Sequence, residues 1–229
     1  YNKNLEQLNS KLIDNIYRRK NKKLVSNLLM IDLQKAYDCL SIRKALNSIW
    51  SLVKNSGDFN KYGIVYQFSI KWAENRVSYY GREKAVFARG LPQGSPWSCL
   101  AFIAAMGIDH LDFGTDSVEV SVFQFADDIT CLVSSKTRLI LTKSIPLIIE
   151  KFHRYFEEFG LKLNHNKTEI LELFKKSESK AVRVLGLYYD TNLTFMTNMR
   201  MIKKWLNPRL NYFVVMRGFL KDKYNFAVW

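Results

Sequence analysis

The segment from Leu24 to Ile31 is largely apolar, is bounded by charge, and stops at Asp32. That pattern suits a strand buried in a sheet, with an acid held at its end. Further along, Val118, Val120, Val122 and Gln124 alternate with Glu119, Ser121, Phe123 and Phe125. Asp127-Asp128 interrupts this second strand before Ile129 to Val133 resumes one, which predicts that the two acids lie at a hairpin turn. Three carboxylates, Asp32, Asp127 and Asp128, therefore stand at the tips of apolar strands. Adjacent acids in a tight turn repel one another unless a cation neutralises them, and a hard, oxygen-seeking Mg²⁺ suits that task. Asp-Asp is also simply a good turn former, so on these residues alone both readings stand.

The remaining pattern describes one continuous domain of helices and strands with no Pro- or Gly-rich linker. Leu5, Leu8, Leu12, Ile13 and Ile16 recur at helical spacing and predict an amphipathic helix near 3–19. The basic run from Arg18 to Lys23 reads as an exposed loop. Ser41 is placed to cap a helix carrying Ile42, Ala45, Leu46, Ile49 and Val53, and a second helix is expected from about Tyr62 to Ala73. Val77–Tyr80 and Ala85–Ala88 flank Gly81-Arg82-Glu83-Lys84 as a hairpin would. Gly90-Leu91-Pro92-Gln93-Gly94-Ser95-Pro96 follows, with Ser95 as cap and Pro96 as first residue of a buried helix ending near Asp112. A long helix near 136–159, short strands around 168–174 and 182–189, and a helical segment from about 199 complete the expectation.

Composition narrows the function classes. Of 229 residues, 48% are hydrophobic and 14% aromatic, which excludes a disordered tail. The longest nearly unbroken apolar stretch, Cys99 to Ile108, is about half the length of a membrane-spanning helix. No membrane partner is expected. Lys plus Arg number 35 against 21 Asp plus Glu, a net charge of +14. Such an excess favours a polyanionic partner, most often nucleic acid, although it also serves solubility. Cys39, Cys99 and Cys131 are far apart and form no zinc spacing, which fits buried apolar roles in a reducing intracellular setting.

Three segments in order change the weight of the acids: Asp32-Leu33-Gln34-Lys35-Ala36-Tyr37-Asp38, then Gly90 to Pro96, then Phe125-Ala126-Asp127-Asp128. The succession resembles reverse transcriptases, in particular those of non-LTR, LINE-like retrotransposons. Leu161-Lys162-Leu163-Asn164-His165-Asn166-Lys167-Thr168-Glu169 and Val184-Leu185-Gly186-Leu187 resemble later motifs of the same family, so the likeness runs from about residue 24 to about 190. It implies an α+β fold, a polymerase palm in which helices back an antiparallel sheet, with partial fingers over 1–198 and the start of a helical thumb over 199–229. It also implies RNA-directed DNA synthesis, extending the 3′-hydroxyl of a DNA primer on an RNA template with deoxynucleoside triphosphates. Two Mg²⁺ ions, with Mn²⁺ as a substitute, would assist an in-line displacement.

Residue by residue, the resemblance assigns Asp32 and Asp127 as metal ligands, with the Leu33 carbonyl beside them, and Asp128 as the neighbouring catalytic acid that converges on the same metal. Tyr37 matches a bulky aromatic that excludes a 2′-hydroxyl from the incoming sugar; a core aromatic is the alternative. Gln93 and Gly94 match positions near template and nucleotide. Lys167 matches a lysine that protonates departing pyrophosphate, or is simply a solvated lysine. Leu185 and Gly186 match the turn beneath the primer end. Basic residues from Arg200 to Lys223 interleave with aromatics, as either a phosphate-contacting surface or an amphipathic helix.

The sequence also departs from that pattern. Phe125 stands where many relatives have Tyr, Trp97-Ser98-Cys99 replaces the commoner Leu-Ser-Pro, and Val184 occupies a position often held by Phe. The fingers motifs expected upstream of Asp32 are not matched, so the activity is expected to belong to a longer parent chain, acting in the nucleus. The Arg18–Lys23 cluster is open to three readings: import signal, phosphate contact or solvated loop. The alternatives from other classes are a non-catalytic nucleic-acid-binding relic of the palm and another palm-type metal enzyme.

Overall fold

A computed structural model describes residues 5–74, 77–80, 82–86, 89–92, 94–107, 112–175 and 180–194. Gln93 and the expected thumb helix from 199 lie outside the described residues. The first helix, α1 (Leu5–Asn21), leads into β1 (Val25–Ile31), then the short α2 (Ala36–Cys39), α3 (Ile42–Asn55) and α4 (Phe59–Glu74). A hairpin of β2 (Val77–Tyr80) and β3 (Glu83–Val86) precedes α5 (Pro96–Met106). The second half runs β4 (Val118–Phe125), β5 (Asp128–Ser135), α6 (Arg138–Glu158), β6 (Glu169–Glu172), β7 (Ala181–Val184) and β8 (Leu187–Asp190). Among the described residues no helix is long and apolar enough to cross a membrane.

The central sheet has the order β4-β5-β1-β6, and each neighbouring pair is antiparallel. Both faces are covered, which explains why β1 is apolar along its length rather than alternating with polar residues. Leu29 and Ile31 join Ile129, Cys131 and Val133 against α3, α5 and α6, whose Ile49, Phe102, Phe152 and Phe156 fill that side. Leu28 and Leu132 point the other way, into Leu8, Leu12 and Ile16 of α1 and Val182, Val184 and Tyr189 of the β7–β8 hairpin. The expected α+β palm, an antiparallel sheet backed by helices, is the observed architecture.

Helix boundaries follow local chemistry. The Ser41 side chain accepts from Lys44 N at the start of α3, and Thr137 does the same for Ile140 N at the start of α6. Asp58 Oδ1 accepts from Lys61 N at 3.0 Å, so α4 begins at Phe59, three residues before the apolar pattern alone predicts. Two expectations about α5 are corrected. Ser95 occupies the cap position without a side-chain bond; Ser98 Oγ instead donates to the Pro92 carbonyl at 2.7 Å. The helix stops at Met106 rather than near Asp112, because Gly107 takes a left-handed conformation (φ 40°) and its N–H closes on Ile103 O. The first hairpin is also tighter than expected, with β3 beginning at Glu83.

The largest correction concerns the basic run. Arg18 to Asn21 are not loop but the last turn of α1, and Arg19 is buried at 4% exposure. Helical spacing explains it: Arg19 falls on the same stripe as Leu8, Leu12 and Ile16. Its guanidinium donates to Leu132 O at 2.6 Å, Ser134 Oγ at 3.1 Å and Ser121 Oγ at 2.7 Å, tying α1 to β4 and β5. Burial pushes this guanidinium below its ordinary range, and Glu119 at 3.5 Å acts in the opposite direction. Arg19→Met keeps the length of the side chain but strands those acceptors. It should destabilise the fold by about 3 kcal/mol in chemical denaturation. A loss below about 0.5 kcal/mol, the level of an ordinary surface change, would show that the guanidinium does not pin the helix.

Candidate active site

The pairing of β1 decides where the acids meet. Ile31 faces Ile129 across the β1–β5 ladder, so Asp32 emerges beside the start of β5 just as β1 ends. The β4–β5 hairpin pairs Phe125 with Asp128 and leaves only Ala126 and Asp127 at its tip. Ala126 takes φ 53°, a strained value for a residue with a Cβ, and its carbonyl accepts from Gln124 Nε2 at 2.9 Å. Asp127 thus belongs to the turn and Asp128 to the strand, refining the expectation that both lie in the turn.

Consecutive residues direct their side chains to different sides, and the two acids accordingly open onto two clefts. One cleft is lined by Asp32, Leu33, Tyr37, Asp127, Asn164 and Lys167. The other is lined by Asp32, Phe125, Asp128, Lys167, Arg183 and the Leu185-Gly186 turn. Asp32 and Lys167 border both. Among the described residues no group of three or more His, Cys, Asp and Glu side chains forms a ready-made metal cluster. The donor chemistry nevertheless fits a hard cation: Asp32 and Asp127 present anionic oxygens to one cleft.

Tyr37 is half-buried at the wall of the first cleft. Its ring stacks on Phe102, centroids 4.8 Å apart and 20° from parallel, and its hydroxyl donates to Cys99 Sγ at 3.8 Å. Burial, then the Cys99 contacts and the nearby Asp127 charge, raise its phenol above the ordinary value. Its backbone is held by the segment before α5: Leu91 N–H donates to Tyr37 O and Gly90 N–H to Leu40 O. Gly90 is required there, because at φ 81° a Cβ would sit 2.7 Å from the Asp38 carbonyl oxygen. Gly94, at φ 87°, is exposed with open space around it and is not among the described residues lining either cleft.

Lys167 is exposed, in a turn whose N–H donates to Asn164 O at 3.1 Å. Leu185 (φ 48°) and Gly186 (φ 83°) form the two-residue turn of the β7–β8 hairpin, with both residues left-handed. Buried Asn9 of α1 holds that turn by donating to Leu185 O at 3.0 Å, while its Oδ1 accepts from Tyr189 OH at 2.7 Å. Leu33 forms an antiparallel bridge with Leu163, continuing the β1 edge beyond its last residue. Arg183 and Asn164 are polar cleft residues that have no place in the sequence-based site. Arg183 gave no signal, being one basic residue among many. Asn164 lay inside a quoted motif, but its contact with Asp32 is between residues 132 positions apart.

Asp128 carries the electrostatic cost of the arrangement. Although the residue is exposed overall, enclosure by the cleft raises its carboxyl above the ordinary value; Asp127 and Asp32 raise it further, and Arg183 lowers it. An acid whose pKa is higher folded than unfolded binds protons more tightly in the native state. Stability therefore falls as pH rises from the unfolded value of 3.8 through the raised native one. Asp128→Asn should raise the melting temperature at pH 7, with the gain vanishing as pH is lowered below 3.8. A lower melting temperature for the variant at pH 7 would reverse the sign of this reading.

Comparison with known proteins agrees with the geometry. No curated protein matches the chain. Among solved structures, the telomerase of Candida tropicalis truncated from its C-terminal domain aligns with a TM-score of 0.59 at 18% identity, covering 85% of this chain and 40% of that one. The same organism's telomerase with a TWJ fragment of telomeric RNA gives 0.60 at 16% identity, covering 85% and 33%. At these identities the likeness is one of fold, and the chain spans only about a third to two fifths of those proteins. The family model for reverse transcriptase (RNA-dependent DNA polymerase) matches residues 3–189, from α1 through the cleft acids to β8, and the chain belongs to the reverse transcriptase family.

Proposed function

We propose that this chain is the palm of an RNA-directed DNA polymerase of a non-LTR, LINE-like retroelement, with residues 1–198 forming the palm and partial fingers and 199–229 beginning the thumb. The observation that carries the reading is the shared cleft of Asp32, Asp127, Tyr37 and Lys167. The LINE-like assignment is supported by the motifs around Lys167 and Leu185-Gly186. RNA template, DNA primer and deoxynucleoside triphosphates are the partners, the net charge of +14 favours such polyanions, and nuclear action is part of the same proposal.

Asp32 and Asp127, with the Leu33 carbonyl, would hold Mg²⁺ (or Mn²⁺), which supplies Lewis-acid stabilisation of phosphoryl charge and eases deprotonation of a 3′-hydroxyl. The chain's own groups do the rest. Tyr37, backed by Phe102, walls off the space of a 2′-hydroxyl. Lys167, which borders both clefts, would give a proton to pyrophosphate. Leu185 and Gly186 support the primer end, with Gln93 and Gly94 near template and nucleotide. Arg183, in the cleft with Asp128, offers a cation to a primer phosphate.

Asp127→Asn keeps the turn's shape but removes an anionic ligand. Primer extension by the full-length natural chain should fall by several orders of magnitude while primer–template binding survives; undiminished synthesis would sink the metal assignment. Tyr37→Ala should raise ribonucleotide relative to deoxynucleotide incorporation about a hundredfold, equivalent to about 2.7 kcal/mol in the transition state. Tyr37→Phe should change little, because the ring does the excluding. Were Tyr37 only a core aromatic, Tyr37→Ala would lower thermal stability and leave sugar choice unchanged.

A further inference from the structure

Asn164 meets Asp32 twice. Its backbone N–H donates to the Asp32 carbonyl at 2.8 Å, and its side-chain Nδ2 donates to Asp32 Oδ2 at 2.8 Å. The first bond, with Gln34 N donating to Lys162 O at 2.8 Å and the Leu33–Leu163 bridge, lays residues 162–164 along the end of β1 as an added stretch of sheet. The side chain of Gln34 strengthens this by donating to Leu163 O at 2.9 Å. Asn164 is therefore fixed by its backbone before its side chain acts.

The carbonyl of the same residue organises the next turn. It accepts from Lys167 N at 3.1 Å, Thr168 N at 2.9 Å and Thr168 Oγ1 at 3.0 Å. Lys167 and Asp32 border both clefts, and Asn164 is bonded to one through its side chain and to the other through its carbonyl. Carboxylate oxygens rotate readily about the terminal bond, because that torsion has broad wells. A donor fixed on Oδ2 selects one rotation and leaves Oδ1 for a cation. An amide suits this better than a lysine or arginine would, since it orients the carboxylate without neutralising the charge that the cation needs.

We propose that Asn164 is a positioning residue: it orients the Asp32 carboxylate for a divalent cation and couples that orientation to the Lys167 turn. The inference rests on the metal role proposed for Asp32. Partners that orient metal ligands typically change metal affinity by about 10–100-fold when removed.

The test is a Mn²⁺ titration of the whole chain, following the free ion by electron paramagnetic resonance. Four proteins are compared: the natural sequence, Asp32→Asn, Asn164→Ala and Asn164→Ser. Serine retains a small polar turn residue but is too short to reach Oδ2, so it keeps the test alive should the alanine variant misfold. Asp32→Asn should abolish the site, and both Asn164 variants should weaken Mn²⁺ about tenfold. Their melting temperatures without metal should stay close to that of the natural chain. Loss of binding in Asp32→Asn with unchanged binding in both Asn164 variants would overturn the positioning role alone. Unchanged Mn²⁺ binding in Asp32→Asn would overturn the metal reading and this inference with it. A drop in melting temperature with natural Mn²⁺ affinity would reduce Asn164 to a structural turn residue.

Discussion

The central sheet and the two cores that cover it are arranged around β1. The strand is hydrogen-bonded on both edges, to β5 and to β6, and both of its faces are buried. Its register is consequently over-determined: a slip by one residue would turn Leu29 and Ile31 toward α1 and Leu28 toward the α3–α5–α6 layer, breaking two cores at once. That rigidity is what delivers Asp32 to one place. The β4–β5 hairpin tip and the turn from Asn164 to Thr168 then meet at the same strand end, because each is anchored to β1 by pairing rather than by side-chain contact alone.

The cost of that convergence is electrostatic. Enclosure by the cleft raises the Asp128 carboxyl most, and repulsion from Asp127 and Asp32 at the same strand end raises it further. Nearby donors moderate the repulsion in different ways. Arg183 contributes opposite charge on the Asp128 side, whereas Asn164 contributes an uncharged hydrogen bond on the Asp32 side. The division suits the cation site proposed here, since full neutralisation by protein side chains would leave no field to bind one. Strain at Ala126 belongs to the same economy, with an unfavourable backbone angle accepted where it aims Asp127 at the cleft.

On the opposite face of the sheet, α1 acts as a clamp with two polar anchors. Arg19 binds its C-terminal end to β4 and β5, and Asn9 binds its N-terminal part to the turn at Leu185. Both are buried polar groups whose partners are satisfied, which favours one docking of the helix over neighbouring ones. The turn expected beneath a primer end is therefore held from behind by a helix lying far from it in sequence.

Local and periodic signals were readable without the fold. The cap at Ser41, the buried strand before Asp32 and the hairpin around Asp127 all depend on residues within a few positions of one another, whereas the single strand expected over 182–189 is a hairpin turning at Leu185-Gly186. What misled was equally local. A run of cations looks solvated until the helix rotates Arg19 inward, and Ser95 looks like a cap until Ser98 takes the Pro92 carbonyl. The sequence by itself determined most of the helices and strands, though not all of their ends, together with the acids at strand ends and the family motifs, because short-range sterics and periodicity are written in adjacent residues. Only the tertiary structure decided that Asp127 and Asp128 open onto different clefts, that Tyr37 leans on Phe102, and that Asn164 grips Asp32. Those contacts join residues from 65 to 132 positions apart, and their geometry exists only once β1 is paired on both sides.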